Sequence, residues 1–236
     1  MSGDCVLSLD TATPRMSVAV WRDGQIAARW ATEESRRHGE LLAPAVKKVT
    51  TAAGIRLGEL TAVAVDVGPG LFTGLRVGVA TAKALASALR VPVVAVTSLD
   101  ALAHAHAGEA PVVAAVIDAR RHQVFRNVYP AGVGGPAAVM DPAELASELA
   151  EVGRTSGGQV LAVGDGAVRY AEVLVGHGVR VAPEPSFPDA ATVATLAASG
   201  SGEVTDAVGV RALYLRPPDV RIGWSRHDDP VEAGRG

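Results

Sequence analysis

Residues 61–90, TAVAVDVGPGLFTGLRVGVATAKALASALR, decide the fold that this sequence predicts. The first seven residues are mostly small or β-branched apolar side chains, which is typical of a strand buried on both faces. The Gly-Pro-Gly at 68–70 ends this strand, because glycine tolerates positive φ and proline fixes its own φ. Thr73 is then the predicted N-cap of a helix that runs from about Gly74 to Leu89.

This helix has small residues at every fourth position and little charge. Gly74, Gly78, Ala82 and Ala86 form one stripe along it. Because small side chains allow a short distance between packed elements, the stripe predicts a second surface that comes very close. A helix that is apolar nearly all round is also expected to be buried nearly all round. The helix alone leaves open whether another part of this chain or a partner protein covers the stripe.

The composition predicts a large aliphatic core and no polyanion-binding surface. Of the 236 residues, 48% are hydrophobic but only 4% are aromatic, and the formal net charge is −3. Bulk charge therefore does not support strong direct binding of nucleic acid. The single cysteine, Cys5, lies in an apolar run and is interpreted as a buried core thiol. We see no signal peptide and no stretch long enough to span a membrane, so a soluble cytoplasmic protein is expected.

The elements around this stretch alternate between strands and helices. Strands are predicted at 5–10, 16–21, 25–32 and 91–96, and helices from about Gly39 or Glu40 to Gly54 and from Ser98, as cap, to about Ala107. Pro44 is acceptable in the first of these helices only if it falls in the first turn.

The second half of the chain repeats the first. An apolar strand at 112–117 ends in Asp118, and a turn at 119–122 leads to the strand QVFRNVY, just as the strand ending in Asp10 leads by a turn to a second strand. QVLAVGDGA at 159–167 likewise resembles TAVAVDVGPG at 61–70. Two elements recurring in the same order predict a duplicated α/β unit, hence two lobes.

We place the lobes at residues 1–108 and 109–216. A last helix at about 189–199, capped by Asp189, is expected to complete the first lobe, and 212–216 is predicted as a strand. Residues 217–236 form a charged tail without periodicity, which we expect to be disordered.

No motif in the sequence predicts catalysis. The stretch GPGLFTG precedes a helix but lacks the Gly-Lys-Ser/Thr ending of a phosphate loop, and GDG at 164–166 is more typical of a turn. His38 has no second histidine one helical turn on, and His104 and His106 point to different sides of a helix, so no metal site is expected. Asp10 and Asp118 end their strands, where a carboxylate either holds a metal or phosphate or accepts hydrogen bonds from the turn that follows.

Arg120 and Arg121 form a basic turn. They could pair with acidic neighbours or touch RNA phosphate, and a solvated turn is the commoner reading of two such arginines.

Seven segments together resemble the TsaB (YeaZ) family. They are LSLDTAT, HGELLAPAV, GPGLFTGLRVGVATAKALA, VTSLDALA, IDARRHQVF, VGDGA and LYLR, they occur in the family's order, and they cover residues 5–216. The resemblance implies an α/β fold of two ribonuclease-H-like lobes of the actin/sugar-kinase/Hsp70 (ASKHA) type. The lone His38 agrees with a family that lacks the metal-binding histidine pair of its partner TsaD. The long tail after Pro217 departs from other members, and no residue set here supports the peptidase activity sometimes ascribed to the family.

The resemblance further implies a non-catalytic role in threonylcarbamoyl transfer to the adenosine adjacent to the anticodon of ANN-decoding tRNAs. TsaC makes the threonylcarbamoyl-adenylate, TsaD transfers the group, and the ATPase TsaE joins the complex. A member of this family binds TsaD, or a second copy of itself when TsaD is absent, and meets tRNA only through the complex. It has no intrinsic cofactor, although ATP or ADP is expected at the complex interface.

By the same resemblance, the first two long helices form the partner interface. The interface residues so implied are His38, Leu41, Leu42, Ala45, Phe72, Gly74, Leu75, Val77, Gly78, Thr81, Ala82 and Leu85. The residues implied to lie near a nucleotide or phosphate are Asp10, Thr11, Thr13 and Arg76. The stripe of Gly74, Gly78 and Ala82 is accordingly expected to meet TsaD.

Two other functions remain open at this point. An ATP-dependent kinase or ATPase of the same fold would need a metal-holding carboxylate pair, and ATP turnover abolished by Asp10→Asn would favour it. A glycopeptidase-like metalloprotein would need further metal ligands beside His38, and metal analysis of the purified protein would decide that.

Overall fold

The computed structural model describes residues 4–34, 37–184 and 186–216. In these ranges the strands are β1 Cys5–Asp10, β2 Met16–Arg22, β3 Gln25–Thr32, β4 Ala62–Asp66, β5 Val93–Val96, β6 Val112–Arg120, β7 Gln123–Pro130, β8 Ala138–Met140, β9 Val160–Val163, β10 Arg180–Val181 and β11 Glu203–Thr205. The helices are α1 His38–Ala52, α2 Phe72–Leu89, α3 Ser98–Ala105, α4 Pro142–Ser156, α5 Asp165–Arg169, α6 Ala171–Gly176 and α7 Ala190–Ala198, with a 3-10 turn at Leu57–Glu59.

The strands form two sheets built to one plan. The first has the order β11-β5-β4-β1-β2-β3 and the second the order β10-β9-β6-β7-β8. In each, the first strand of the unit (β1 or β6) pairs antiparallel with the next strand and parallel with a later one (β4 or β9). The duplicated unit predicted from the sequence is present, and the predicted class, α/β with two ribonuclease-H-like lobes of the ASKHA type, is confirmed.

Helices cover both faces of the first sheet. Successive residues of a strand point to opposite faces, so Leu7 and Leu9 pack under α1 and α2, whereas Val6 packs towards α3 and α7. The hydroxyl of Ser8 donates to the carbonyl of Ala190 at 2.6 Å, which fastens α7 to the sheet. The predicted last helix therefore joins the first sheet, although the lobe boundaries at residues 108 and 216 stay predictions.

Two predicted helix caps are wrong. Helix α2 begins at Phe72 and has Leu71 at its N-cap without a side-chain hydrogen bond, so Thr73 lies inside the helix. The backbone N–H of Leu71 donates to the carbonyl of Ala12 at 2.7 Å, which fixes where the loop ends and the helix starts. Helix α3 is capped by Thr97, whose hydroxyl accepts from the N–H of Asp100, and not by Ser98. The predicted cap of α7, Asp189, is confirmed.

The proline of α1 does not lie in the first turn. The helix begins at His38, so Pro44 is its seventh residue, and the carbonyl of Glu40 loses its usual partner. Both residues are exposed, so water can satisfy that carbonyl. The predicted stop near Gly54 is confirmed, since α1 ends at Ala52 and Gly54 has a φ of +66°.

The segment 210–216 is not the predicted strand but a strap between the two lobes. Val210 and Leu213 pack against the core of the first lobe, whereas Leu215 packs against the cluster that α3 shares with the second sheet. The N–H of Leu213 donates to the carbonyl of Val67 at 2.7 Å. Since the segment crosses from one sheet to the other, it cannot run along either sheet edge as a strand. The predicted tail at 217–236 lies outside the described residues.

Within the described ranges, every helix is too short or too polar to cross a lipid bilayer.

Candidate functional site

The outer sides of α1 and α2 form a surface that we call the helix face. It consists of Phe72, which is exposed, and of Leu41, Val77, Thr81 and Leu85, which are half-buried. Val77, Thr81 and Leu85 recur every four residues and so lie in one line along α2. The structure therefore brings five of the residues predicted for the partner interface to the surface.

The other residues predicted for that interface point into the protein. They are His38, Leu42, Ala45, Gly74, Leu75, Gly78 and Ala82, all of them buried. A Cβ added to Gly74 or to Gly78 would come closer than 3.0 Å to the carbonyl or the hydroxyl oxygen of Thr11, a separation that real Cβ atoms essentially never show. The close surface that the small-residue stripe predicts is thus Thr11, which follows β1 in the same chain. The expectation that the stripe meets TsaD is corrected for Gly78 and Ala82, which are buried, whereas Gly74 also lines a surface groove.

An aromatic pair stands at the start of α2. The rings of Phe72 and Tyr214 are 5.2 Å apart and tilted by 42°, and the Arg76 guanidinium lies 3.8 Å from the Phe72 ring. Phe72 is 41% exposed and Tyr214 is 43% exposed, so two large aromatic rings stand open to solvent here, and such rings dominate the energetics of cores and interfaces. A groove of about 420 Å³ runs beside them, lined by His38, Gly39, Leu71, Phe72, Thr73, Gly74 and Val77.

The residues predicted to lie near a phosphate, except for Arg76, are buried and hydrogen-bonded within the protein. Asp10 is fully buried, and its carboxyl accepts from the N–H of Ala12 at 3.0 Å and from the hydroxyl of Ser17 at 3.3 Å. The Thr11 hydroxyl donates to the carbonyl of Gly74 at 2.7 Å, and the Thr13 hydroxyl donates to the carbonyl of Arg15 at 3.2 Å. These groups hold the β1–β2 turn and α2 together.

Asp10 faces a second buried carboxyl, that of Asp66. One oxygen of Asp66 accepts from the Ser98 hydroxyl at 2.6 Å and from the N–H of Gly68 at 2.8 Å. Its other oxygen is buried and has no hydrogen-bond partner among the described residues. Burial and then the charge of Asp66 raise the pKa of Asp10 well above its usual value, while burial raises the pKa of Asp66 to about 6. Two buried carboxyls that lie close together disfavour the state in which both are ionised.

The histidine at the start of α1 points into the protein. His38 is buried, and its Nε2 lies 3.2 Å from the carbonyl oxygen of Pro14. In the part of the chain that the structure describes, no three His, Cys, Asp or Glu side chains gather so as to hold a metal ion. His38 is also one of the residues that line the groove beside Phe72.

In the second lobe, Asp118 is the counterpart of Asp10 but has different partners. Strand β6 continues past it to Arg120 through an irregularity, so the strand does not end at Asp118 as predicted. Its carboxylate pairs with Arg120 at 3.0 Å and with Arg169 at 3.5 Å, and its N–H donates to Asp165 at 3.1 Å. Burial is the main cause that raises the pKa of Asp165.

Sequence reasoning missed Asp66 and Tyr214. Asp66 ends an apolar strand as Asp10 does, and this shared pattern was the available signal for a carboxyl pair. Tyr214 was assigned to a strand, and nothing in its neighbours along the chain indicates that it meets Phe72.

Comparison with known proteins places this geometry in a family. Residues 31–133 match the model of the family described as TsaD, tRNA N6-adenosine threonylcarbamoyltransferase. Among solved structures, YeaZ from Pseudomonas aeruginosa is 30% identical with a TM-score of 0.75, and the alignment covers 90% of this chain and all of that one.

Curated relatives match over a smaller share of their length. The tRNA threonylcarbamoyladenosine biosynthesis protein TsaB of Escherichia coli is 36% identical over 126 residues, which cover 52% of this chain and 54% of that protein. An uncharacterised protein of Mycobacterium leprae is 36% identical over 222 residues, which cover 92% of this chain and 56% of that protein. The chain therefore spans little more than half the length of these two relatives.

Proposed function

The chain belongs to the TsaB (YeaZ) family, and on that premise we propose that it is a non-catalytic subunit in tRNA threonylcarbamoyladenosine biosynthesis. Its role is to bind the threonylcarbamoyltransferase TsaD through the helix face and to support transfer to the adenosine adjacent to the anticodon of ANN-decoding tRNAs. TsaE joins this pair, TsaC supplies the activated threonylcarbamoyl group, and tRNA and ATP or ADP are met in the complex. Without TsaD, a second copy of the chain occupies the same face.

One observation carries the proposal, namely the aromatic pair at the edge of the helix face. Phe72 and Tyr214 leave about two fifths of their surface open to solvent in a protein that has only three of each residue type. Tyrosine and arginine are among the residues that most often dominate the binding energy of protein interfaces, and phenylalanine is enriched there. The groove beside them offers a pocket for an apolar side chain of the partner.

The inward orientation of Asp10 supports a role other than catalysis. A kinase of this fold would use the carboxylate at this position in its ionised form to hold a metal and phosphate. Here burial raises the pKa of Asp10, which disfavours its ionised form, and its oxygens already accept hydrogen bonds from Ala12 and Ser17.

The first experiment measures capture of TsaD by Phe72→Glu in a pull-down and by calorimetry. A charge placed on an aromatic anchor of an interface costs about 2 kcal/mol or more, which is a loss of roughly 30-fold in affinity. Leu57→Glu is the matched control, because Leu57 is 38% exposed but lies at the other end of β4. Equal capture by the two variants would contradict the assignment of the helix face.

The second experiment measures the activity that the subunit supports. Purified TsaC, TsaD, TsaE, threonine, bicarbonate and ATP are combined with a tRNA transcript, with and without this chain. We expect threonylcarbamoyl transfer only when the chain is present and a loss of transfer with Phe72→Glu. Transfer that is equally fast without the chain would overturn the proposal.

A further inference from the structure

The turn between β6 and β7 carries three basic side chains on an unusual backbone. Arg120, Arg121 and His122 have φ values of 63°, 53° and 59°, a region that side chains other than glycine rarely adopt. All three residues are exposed. Arg120 pairs with Gln123, so Arg121 and His122 form a two-residue hairpin loop, in which positive φ at both positions is common.

Two arginines from other elements join this turn. Arg169, at the end of α5, lies 3.5 Å from the carboxylate of Asp118, the same group that Arg120 binds at 3.0 Å. Arg216, at the end of the strap, donates to the carbonyl of Ala119 at 3.1 Å and bonds the side chain of Gln123. We call Arg120, Arg121, Arg169 and Arg216 the arginine cluster.

The outer surface of this cluster is cationic. Arg120 and Arg169 both pair with the carboxylate of Asp118, in a chain whose formal net charge is −3. The Asp118 side chain is only 4% exposed, whereas those of Arg120 and Arg169 are 56% and 55% exposed. This one carboxylate therefore holds Arg120 and Arg169 from below. The Arg169 guanidinium also lies 5.8 Å from the Tyr170 ring, and more than half of each arginine side chain remains open to a ligand. Guanidinium groups bind phosphate in a bidentate manner.

The cluster adjoins the helix face. Tyr214 stacks on Phe72, and Arg216, two residues later, touches the turn between β6 and β7. Two residues span at most about 7 Å of chain. A partner seated on the helix face would thus bring its own ligands within reach of the arginine cluster.

We propose that the arginine cluster contacts the phosphate backbone of the RNA that the complex holds, so that this subunit takes part in RNA binding. The proposal rests on the function proposed above, in which TsaD occupies the helix face. The chemistry favours RNA over an acidic peptide, because guanidinium planes and the imidazole of His122 can also stack on unpaired bases.

The test measures binding of an unmodified ANN-decoding tRNA transcript to the complex of this chain with TsaD, by fluorescence anisotropy at several salt concentrations. Arg120→Gln and Arg169→Gln are used singly, since each leaves the other arginine to pair with Asp118. Arg154→Gln is the matched control. It lies on α4 near Gly158, which meets Pro111 at the far end of β6, roughly 26 Å away at 3.3 Å per residue.

We expect each cluster variant to lower the slope of log affinity against log salt by about 0.7 to 0.9, the value for one lost phosphate contact. The ratio of wild-type to variant affinity then changes about five- to eightfold for each tenfold change in salt. Arg154→Gln should leave the slope unchanged.

The outcomes separate the two proposals. If the cluster variants still bind TsaD and the salt dependence of their tRNA affinity equals that of Arg154→Gln, the RNA contact is overturned. The proposed function then still stands. Cluster variants that lose TsaD and keep their tRNA slope would show that the cluster binds an acidic protein surface, which also overturns it. Failure of the unmodified chain to bind TsaD would refute the proposed function instead, and with it the RNA contact that depends on it.

Discussion

Replacing Gly78 with alanine tests the packing of α2 on β1, on which the first lobe depends. A Cβ at this position would approach the Thr11 hydroxyl oxygen to less than 3.0 Å, whereas ordinary contact begins at 3.4 Å. Either the helix or the threonine side chain must move by about half an ångström or more, and overpacking of a core costs about 1 to 3 kcal/mol. Alanine is better than glycine in a helix by about 1 kcal/mol, which offsets part of that loss. We therefore expect Gly78→Ala to lower the free energy of unfolding by up to about 2 kcal/mol.

The second substitution in the cycle is Thr11→Ala, which removes the obstructing hydroxyl. Alone it loses the hydrogen bond to the carbonyl of Gly74, worth about 1 kcal/mol. In its presence, the new Cβ of Gly78→Ala meets only the Cβ of residue 11, at 3.6 Å, which is ordinary van der Waals contact. Gly78→Ala then gains the helix propensity, so the two changes should couple favourably by about 1 to 3 kcal/mol. Gly74→Ala behaves differently, because its Cβ would meet the main-chain carbonyl of Thr11, which no side-chain change removes.

The assay is urea unfolding followed by far-UV circular dichroism and by fluorescence, since Trp21 and Trp30 report on β2 and β3 of the first lobe. Equal m-values are required before the free energies are compared. Gly39→Ala is the control, because a Cβ there meets nothing within 4 Å. Strict additivity of Thr11→Ala and Gly78→Ala, or rescue of Gly74→Ala by Thr11→Ala, would refute the packing argument.

Three further predictions concern the carboxyl pair, the aromatic pair and the cap of α3. Because the pKa values of Asp10 and Asp66 are raised in the folded protein, the native state holds protons that the unfolded chain has released, so the free energy of unfolding should fall as the pH rises from about 4 through 7. For Asp66→Asn, the free energy of unfolding should depend less steeply on pH across this range. An unchanged pH dependence would argue against the pair. Tyr214→Ala should weaken capture of TsaD by about 0.5 to 1.5 kcal/mol, the usual worth of an aromatic pair, as measured by calorimetry; no change in affinity would remove Tyr214 from the interface. Thr97→Ala should lower the free energy of unfolding by about 1 kcal/mol at every pH, because it removes the helix cap. Ser98→Ala should instead change how stability depends on pH, because the Ser98 hydroxyl donates to the Asp66 carboxyl. A pH-independent loss for Ser98→Ala and a pH-dependent one for Thr97→Ala would restore Ser98 as the cap.

Much of the fold could be predicted from local pattern. The apolar runs that lead to Asp10 and to Asp118, and the likeness of 159–167 to 61–70, indicated the duplicated unit, because strand periodicity and turn chemistry are local properties of the sequence. Caps were harder, since Leu71 starts α2 through a main-chain contact with Ala12 that lies 59 positions away along the chain. Residues 212–216 look like a strand by composition, but tertiary packing draws them across both lobes.

The candidate site was predicted in outline only. The motif pointed to α1 and α2, and the structure leaves Phe72, Val77 and Leu85 on their outer side. It could not say which side of α2 faces outward, because the helix is apolar nearly all round and its glycines fit either a partner or the chain itself. Only the position of Thr11 against Gly74 and Gly78 decides between the two.

The strap at 210–216 makes the two halves of the molecule interdependent. Val210 and Leu213 pack against one hydrophobic cluster and Leu215 packs against another, so one short segment covers part of both. A single proteolytic cut after Gly209 would therefore release the packing of this segment on both clusters at once. It would also remove Tyr214 and Arg216 from the protein. Loss of TsaD capture and loss of thermal resistance should then appear at the same moment of a digestion time course.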